Sequence, residues 1–239
     1  MFEHLLSVLS RRDHVSDTER TLIEQLPRRI RSFNKGEELV KEGSRPNESC
    51  LVLSGFTARA QSLPDGKRQL TALHVPGDFV DLHAFLLKLM DHSVVSIGRS
   101  EAAFIPHASL LALVETTPHI GRLFWLSTVI DAAIQRTWIT SLGRRSPGQH
   151  IAYLICELYM RLEVLGLLTH NSFEFPATQT DVADMVGLSL VHVNRTIQEL
   201  RASKLVSWRN NIISVPDIER LREYADFDPT YLNLLKEPR

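Results

Sequence analysis

The chain has 239 residues, 44% of them hydrophobic and 23% charged, with a formal net charge of -1. At roughly 150 residues per domain, that length gives one to two domains of ordinary globular protein, and the near-neutral charge excludes a generally basic surface as the means of holding a polyanion. Apolar runs stop well short of the roughly 18 residues a membrane span needs, and Glu3, Arg11, Arg12 and Asp13 break up the start, so no membrane partner and no signal peptide are expected. The two cysteines, Cys50 and Cys156, lie far apart in the sequence and fit a reducing cytoplasm.

From Ile30 to Ile105 the pattern predicts strands. Glu38-Leu39-Val40, Cys50-Leu51-Val52-Leu53, Leu70-Thr71-Ala72-Leu73 and Val94-Val95-Ser96-Ile97 are separated by the turn formers Gly36, Gly43, Asp65-Gly66 and Pro76-Gly77-Asp78. Short strands at regular spacing predict a barrel or roll. Beyond Pro106 the pattern turns helical, and from about Glu115 to Leu142 only Pro118 and Gly121 intervene, which predicts one long helix. Along it Leu123, Ser127, Ile130, Ile134, Thr137 and Ser141 follow a four-and-three spacing, with Leu126, Val129 and Ala133 alongside. A seam this broad asks for a second copy of the chain, through Leu123, Leu126, Ile130, Ala133, Ile134 and Thr137. Gly143-Arg144-Arg145-Ser146-Pro147 then breaks the helix ahead of a new amphipathic run, Ile151, Leu154, Ile155, Leu158 and Leu162, and reads as a hinge. Its two arginines are either solvated charge or phosphate contacts.

Thr178 to Arg201 reads as two short helices joined by a tight turn. Thr178 follows Pro176 as a cap, with Asp181 three residues on approximating a capping box, and Val182, Ala183 and Val186 form the buried face. Gly187 supplies the bend and Ser189 the next cap. Leu190, Val193, Ile197 and Leu200 then recur as a core face, leaving His192, Asn194, Arg195, Gln198 and Arg201 nearer the outside. Asn and Gln pair bidentately with adenine and Arg with guanine, so that outer side suits a DNA groove. Ser207-Trp208, the turn Arg209-Asn210-Asn211 and Ile212-Ile213-Ser214-Val215 predict a β-hairpin, a wing, directly after the second helix. Between Ser189 and Asn211, Arg195, Arg201, Lys204 and Arg209 face only Glu199, a local basic bias that phosphate contact explains. Readers on double-stranded DNA sit roughly 34 Å apart, and a helix of about 28 residues spans roughly 40 Å, so a homodimer on a palindrome is expected. There is no P-loop, G-x-S-x-G elbow or H-E-x-x-H, and an enzyme is not expected.

Together with the helix-turn-helix and wing, the segment Phe33 to Arg59, FNKGEELVKEGSRPNESCLVLSGFTAR, and Val75-Pro76-Gly77-Asp78-Phe79 resemble the winged-helix regulators of the cyclic-AMP receptor and fumarate-nitrate regulator (Crp/Fnr) family, over most of the chain. The resemblance implies an α+β fold: a cyclic-nucleotide-binding-like β-roll with N-terminal helices over 1–114, a dimerisation helix over 115–142, and a winged helix-turn-helix over 143–239. It implies DNA contacts at Gln179, Thr180, Ser189, Leu190, Val191, His192, Asn194, Arg195, Gln198 and Arg209, and RNA polymerase as a partner if genes are activated. Leu190 and Val191 stand where well-known members carry Arg or Val followed by Glu, so a different operator is expected, with His192 and Asn194 as private readers.

In the roll, the family's nucleotide cassette places Gly-Glu and a later Arg-Ser or Arg-Thr where this chain has Asp81-Leu82-His83 and His92-Ser93. Leu82 cannot accept a hydroxyl hydrogen bond, Asp81 would oppose an anion, and His92 is only partly charged at neutral pH, so cyclic AMP is not expected. Two distant cysteines exclude the family's iron-sulfur cluster. The effector pocket is expected around Asp81, Leu82, His83, His92 and Ser93. His83 falls where carbon-monoxide-sensing haem regulators place an axial ligand, so a haem-based gas or redox sensor is the alternative function, although Asp81 replaces their thiolate and the start Met1-Phe2-Glu3 lacks their proline. A histidine hydrogen-bonded within the roll, and a regulator without ligand, also stay open. His74, His83 and His92, nine residues apart, form no recognised ligand motif, and no metal is expected.

Overall fold

The computed structural model describes residues 2–238; Met1, which heads the Met1-Phe2-Glu3 start considered above, lies outside the described residues. Helices α1 (Glu3–Arg12) and α2 (Asp17–Glu24) come first, the second opened by a capping box between Ser16 and Glu19. Strands β1 (Arg29–Phe33), β2 (Glu38–Val40), β3 (Glu48–Ser54), β4 (Thr57–Ser62) and β5 (Arg68–His74) follow, then the one-turn helix α3 (Ala84–Leu87), β6 (Ser93–Ser96) and β7 (Ser100–Pro106). They build two antiparallel sheets, ordered β1-β7-β3 and β2-β6-β4-β5. Alternate residues of β3 and β7 serve two cores: Cys50, Val52, Ala102 and Phe104 face the interior between the sheets, whereas Leu51, Ala103 and Ile105 face α1. That double burial is why these strands are apolar at successive positions. Helix α1 seats on the turn at Gly77, where a Cβ would lie 2.8 Å from the His4 carbonyl carbon and φ is +91°.

Helix α4 (His107–Thr116) leads into α5 (Pro118–Arg144), whose first position suits proline because the N–H it lacks would have no partner there. Arg145 is extended, and Ser146 with Gln149 caps α6 (Pro147–Val164), so the expected break is a helix end followed at once by a helix start. Then come β8 (Ser172–Glu174), α7 (Gln179–Val186), α8 (Leu190–Ala202), β9 (Ser207–Arg209), β10 (Ile212–Ser214), α9 (Ile218–Ala225) and a 3-10 turn over Pro229–Leu232. Strand β8, absent from the sequence reading, widens the wing to a three-stranded sheet, β8-β10-β9. Among the described residues no helix is long and apolar enough to cross a membrane.

Helix α6 is buried along His150–Tyr159, and its core continues through Ile130, Ile134 and Trp138 of α5 to Leu70 and Leu73 of β5. Three of the residues expected at a dimer seam are therefore corrected. Leu123, Ile130 and Ile134 are 0%, 5% and 6% exposed, covered by the chain's own core; Leu126, Ala133 and Thr137 are half-buried at its edge. The outward apolar residues of α5 are instead Trp125, Val129, Ile139 and Leu142.

Polar contacts fasten the helix-turn-helix to the roll. Arg68 of β5 donates to Asp184 at 2.7 Å and 2.9 Å and to Asp181 at 3.0 Å, while Lys35 donates to Asp181 at 2.7 Å. Deeper in, Arg161 of α6 pairs with Asp78, and donates to the Leu73 carbonyl at 3.0 Å and to Glu157 at 3.3 Å. The fully buried Glu157 carboxylate also accepts from Trp138 Nε1 at 3.1 Å and from the Tyr231 hydroxyl at 2.8 Å.

Candidate nucleic-acid interface

The reader is built by local chemistry. Thr178 Oγ1 accepts from the Asp181 N–H at 3.2 Å and the Asp181 carboxylate accepts from the Thr178 N–H at 2.8 Å, a complete capping box at the start of α7. Burial opposes it, yet the bonds from Lys35 and Thr178 hold the Asp181 carboxyl below its ordinary pKa. Gly187 ends α7 in the left-handed region at φ +65°, and the Ser189 hydroxyl accepts from the His192 N–H at 3.3 Å to start α8. Val182, Ala183, Val186, Val193, Ile197 and Leu200 are buried, which fixes one helix across the other. Asn210 and Asn211 both take positive φ, +49° and +63°, the backbone of a two-residue hairpin turn with right-handed twist.

Gln179, Thr180, Ser189, Leu190, Val191, His192, Arg195, Gln198 and Arg209 are all exposed. Gln179, Thr180, Leu190, Gln198 and Arg209 line one groove of about 470 Å³ between the start of α7, the face of α8 and the wing, together with Arg201, Trp208 and Asn211. Two positions depart from expectation. Leu190 is 46% exposed rather than part of the core and lines the groove beside the start of α7. Asn194 is half-buried and donates through Nδ2 to the Leu190 carbonyl at 3.2 Å, so its amide is turned onto the helix instead of outward. Val191 is 77% exposed, an unpartnered apolar tip beside His192. Arg195 and Glu199 lie 3.5 Å apart, both open to solvent, a contact too weak to immobilise the arginine. In the hinge, Arg145 stacks over the Tyr153 ring at 4.0 Å and donates to Ser141 at 2.8 Å, whereas Arg144 is exposed.

A second concavity, a cleft of about 480 Å³ lined by Arg59, His83, Leu87, Asp91, His92, Asp131, Gln135 and Trp138 among others, lies between the roll and α5. Of the five residues expected around an effector, His83 and His92 line it. Asp81 is turned into the sheet, where it accepts the Cys50 N–H at 2.7 Å and burial pushes its pKa up to about 7; Leu82 packs under the N-terminal helices; Ser93 donates to Glu38 at 2.7 Å. Arg59, Asp91 and Asp131 are the residues sequence reasoning missed. A register shift between Arg59 and Ala60 buries 57–60 of β4 in succession, and Arg59 meets Asp131 at 3.0 Å and the Val80 carbonyl at 3.2 Å.

The His83 and His92 rings lie tilted to one another with centroids 5.2 Å apart, and one ligand atom from each, with one from Asp91, fall within 4.8 Å of one another. This grouping is invisible in nine-residue spacing because α3 folds the chain back between the two histidines; His74 stays outside the group. Burial, then the nearby Arg59 charge, drives the His92 pKa down to about 4 and lowers that of His83. Hence the 2.7 Å contact of His92 Nδ1 with Asp91 is a hydrogen bond of a neutral imidazole, not an ion pair. Burial raises the thiol pKa of Cys50 well above its ordinary value, and that of Cys156 to about 12, leaving both as inert core thiols.

A winged helix-turn-helix carried on a long helix beside a sensory β-roll defines a DNA-binding transcription regulator, not an enzyme. Residues 149–224 match the Crp-like helix-turn-helix domain and residues 30–117 the cyclic nucleotide-binding domain. The transcriptional activator protein FnrL of Cereibacter sphaeroides is 26% identical over 202 residues, covering 83% of this chain and 81% of the relative. The nitrogen fixation regulation protein FixK of Bradyrhizobium diazoefficiens is 27% identical over 202 residues, covering 84% of each chain. The solved structure of FixK2 from Bradyrhizobium japonicum superposes with a TM-score of 0.73 at 20% identity, over 83% of this chain and 98% of that one. The chain belongs to the Crp/Fnr family.

Proposed function

We propose that the regulator works in the cytoplasm as a homodimer on a palindromic operator, with α8 of each copy in the major groove and with operator affinity set through the cleft of the roll. In this reading residues 1–114 sense, 115–142 dimerise and 143–239 read DNA, although 114 falls within α4 and 142 within α5, whose ends are Thr116 and Arg144. The outward row of Val191, His192, Arg195 and Gln198, flanked by Arg209 of the wing, carries this reading. Arg195 suits a guanine edge, Gln198 an adenine edge and Val191 a thymine methyl group, while Gln179, Thr180, Ser189 and Arg209 suit phosphates. The second copy would lie along Trp125, Val129 and Ile139, which with Ala132 follow heptad spacing. FnrL is named a transcriptional activator, and activation through RNA polymerase is proposed here by analogy.

The test is fluorescence anisotropy on an operator selected from random DNA and on its single-base variants. Arg195→Ala should lose about 1–3 kcal/mol, concentrated at one base pair of each half-site. Equal weakening on every DNA would make Arg195 a phosphate contact, and unchanged binding would sink the placement of α8. The second reading, a haem-based gas or redox sensor with His83 as axial ligand, draws on one observation: His83 Nε2 is buried without a hydrogen-bond partner beside the cleft.

A further inference from the structure

The cleft of the roll holds a group of side chains that neither the DNA-reading function nor the packing explains. Nε2 of His83 and Nε2 of His92 are both buried and lack a hydrogen-bond partner among the described residues. His92 itself is only 3% exposed. Two neighbouring imidazoles with idle nitrogens leave desolvated polar atoms uncompensated, which folded proteins rarely keep without a use. The Asp91 carboxylate lies 2.7 Å from His92 Nδ1 and so selects the tautomer with the proton on Nδ1. The lone pair then sits on Nε2, the arrangement by which a carboxylate orients a metal-binding histidine.

We propose that His83 and His92, with Asp91 beside them, bind a divalent first-row transition-metal ion at the mouth of the cleft. With metal–nitrogen distances of about 2.0–2.1 Å, two imidazoles meeting at a tetrahedral centre hold their ring centroids roughly 5 Å apart. The observed separation is 5.2 Å, with the rings tilted by 41°. Axial imidazoles on opposite faces of a haem iron stand roughly 6 Å apart with the porphyrin between them, a plane this pair has no room for. Two imidazole nitrogens without thiolate, the other positions left to water, suit zinc, cobalt, nickel or ferrous iron rather than a hard cation or a cuprous ion. All three residues line the open cleft, so an ion has a path in and water can fill the remaining positions.

The opposite wall of that cleft is α5, through Thr128, Asp131 and Gln135. An ion that draws His83 toward His92 moves the start of α3 and the approach to β6 relative to this wall, and affects DNA binding only as far as it prefers one arrangement of the two. This part rests on the reading of the roll as the sensory domain. The binding test below uses no DNA, so its failure is distinct from failure of that reading.

Tag-free full-length protein, stripped with chelator, is titrated with Co2+ while visible ligand-field absorption is recorded. One Co2+ per chain is expected, displaced by Zn2+. His83→Ala and His92→Gln should lose the spectrum, Asp91→Asn should weaken binding about 10–100-fold, and the exposed-site control His170→Ala should keep it. Circular dichroism checks the fold of each variant, and if the buried His92 proves indispensable for folding, the half-buried His83 decides. Absence of a Co2+ spectrum in the wild type, retention of it in folded His83→Ala, or stoichiometric haem uptake dependent on His83 would each overturn the proposal.

Discussion

Replacing Arg161 with methionine removes the only cation that touches Glu157 among the described residues, while keeping most of the aliphatic volume. The guanidinium serves three acceptors, Asp78, the Leu73 carbonyl and Glu157, and the Glu157 carboxylate is fully buried. Without it, that carboxylate keeps only the Trp138 indole and Tyr231 hydroxyl donors. Breaking a buried pair by removing one partner costs about 3–5 kcal/mol. For a chain of this length each kcal/mol lowers Tm by roughly 2–4 °C, so the midpoint should fall by roughly 6–20 °C. The loss depends on pH with a definite sign. Burial already raises the Glu157 pKa against the opposing effect of Arg161, and the variant raises it further. A raised folded carboxyl pKa costs stability above the unfolded value, so the deficit of Arg161→Met should grow from pH 5 to pH 7 and shrink in acid. Urea unfolding followed by circular dichroism at both pH values measures it. The double variant Arg161→Met/Glu157→Gln should recover at least about 1 kcal/mol relative to additivity. A deficit under about 1 kcal/mol at pH 7, or strict additivity, would refute the account of this network.

His119 lies 2.6 Å from Glu19 and 3.1 Å from Asp13, and these carboxylates overcome burial to raise its pKa. Its contribution is present below the ordinary histidine range and lost as pH rises through the raised value, so His119→Gln should lower Tm more at pH 6 than at pH 8.5; equal shifts would rule out a charged contact. Thr178→Ala removes the α7 cap and should cost about 1 kcal/mol in urea unfolding, with no change counting against the capping box. Ile139→Glu places a charge on the exposed edge of α5 and should give a monomer by light scattering, while a persisting dimer would relocate the interface.

The helix-turn-helix was legible because its signals are local. The caps formed by Thr178 with Asp181, by Gly187 and by Ser189 close within three or four residues, and the turn is set by the adjacent Asn210 and Asn211, both at positive φ. The facing of α5 was not legible, because that helix is apolar on two sides. Spacing finds both Leu123, Ile130, Ile134 and Trp125, Val129, Ile139, but only the packing of α6 and the roll decides which set is covered. The cleft failed for a related reason. His83, Asp91 and His92 meet through the short α3, and Arg59 is held inward by a register shift among residues that read as an ordinary strand. Leu190 departs from the expected core face because periodicity counts its phase along α8 and not whether a neighbour covers it.

The segment after α9 has a mechanical meaning. Tyr231 bonds Glu157, Leu232 and Leu234 line the cavity under the roll, and the Glu237 N–H reaches the Arg12 carbonyl at 2.9 Å. Once the Arg68 and Lys35 contacts to Asp181 and Asp184 open, the reader hangs at two points, the turn between α5 and α6 and this returning strap against α1. A body held at one point swivels freely, whereas one held at two turns about the line joining them. Any swing of α8 toward or away from DNA is constrained to that axis unless the strap peels away, so cutting the chain between α9 and Tyr231 should release motions of the reader that no change within the cleft can produce.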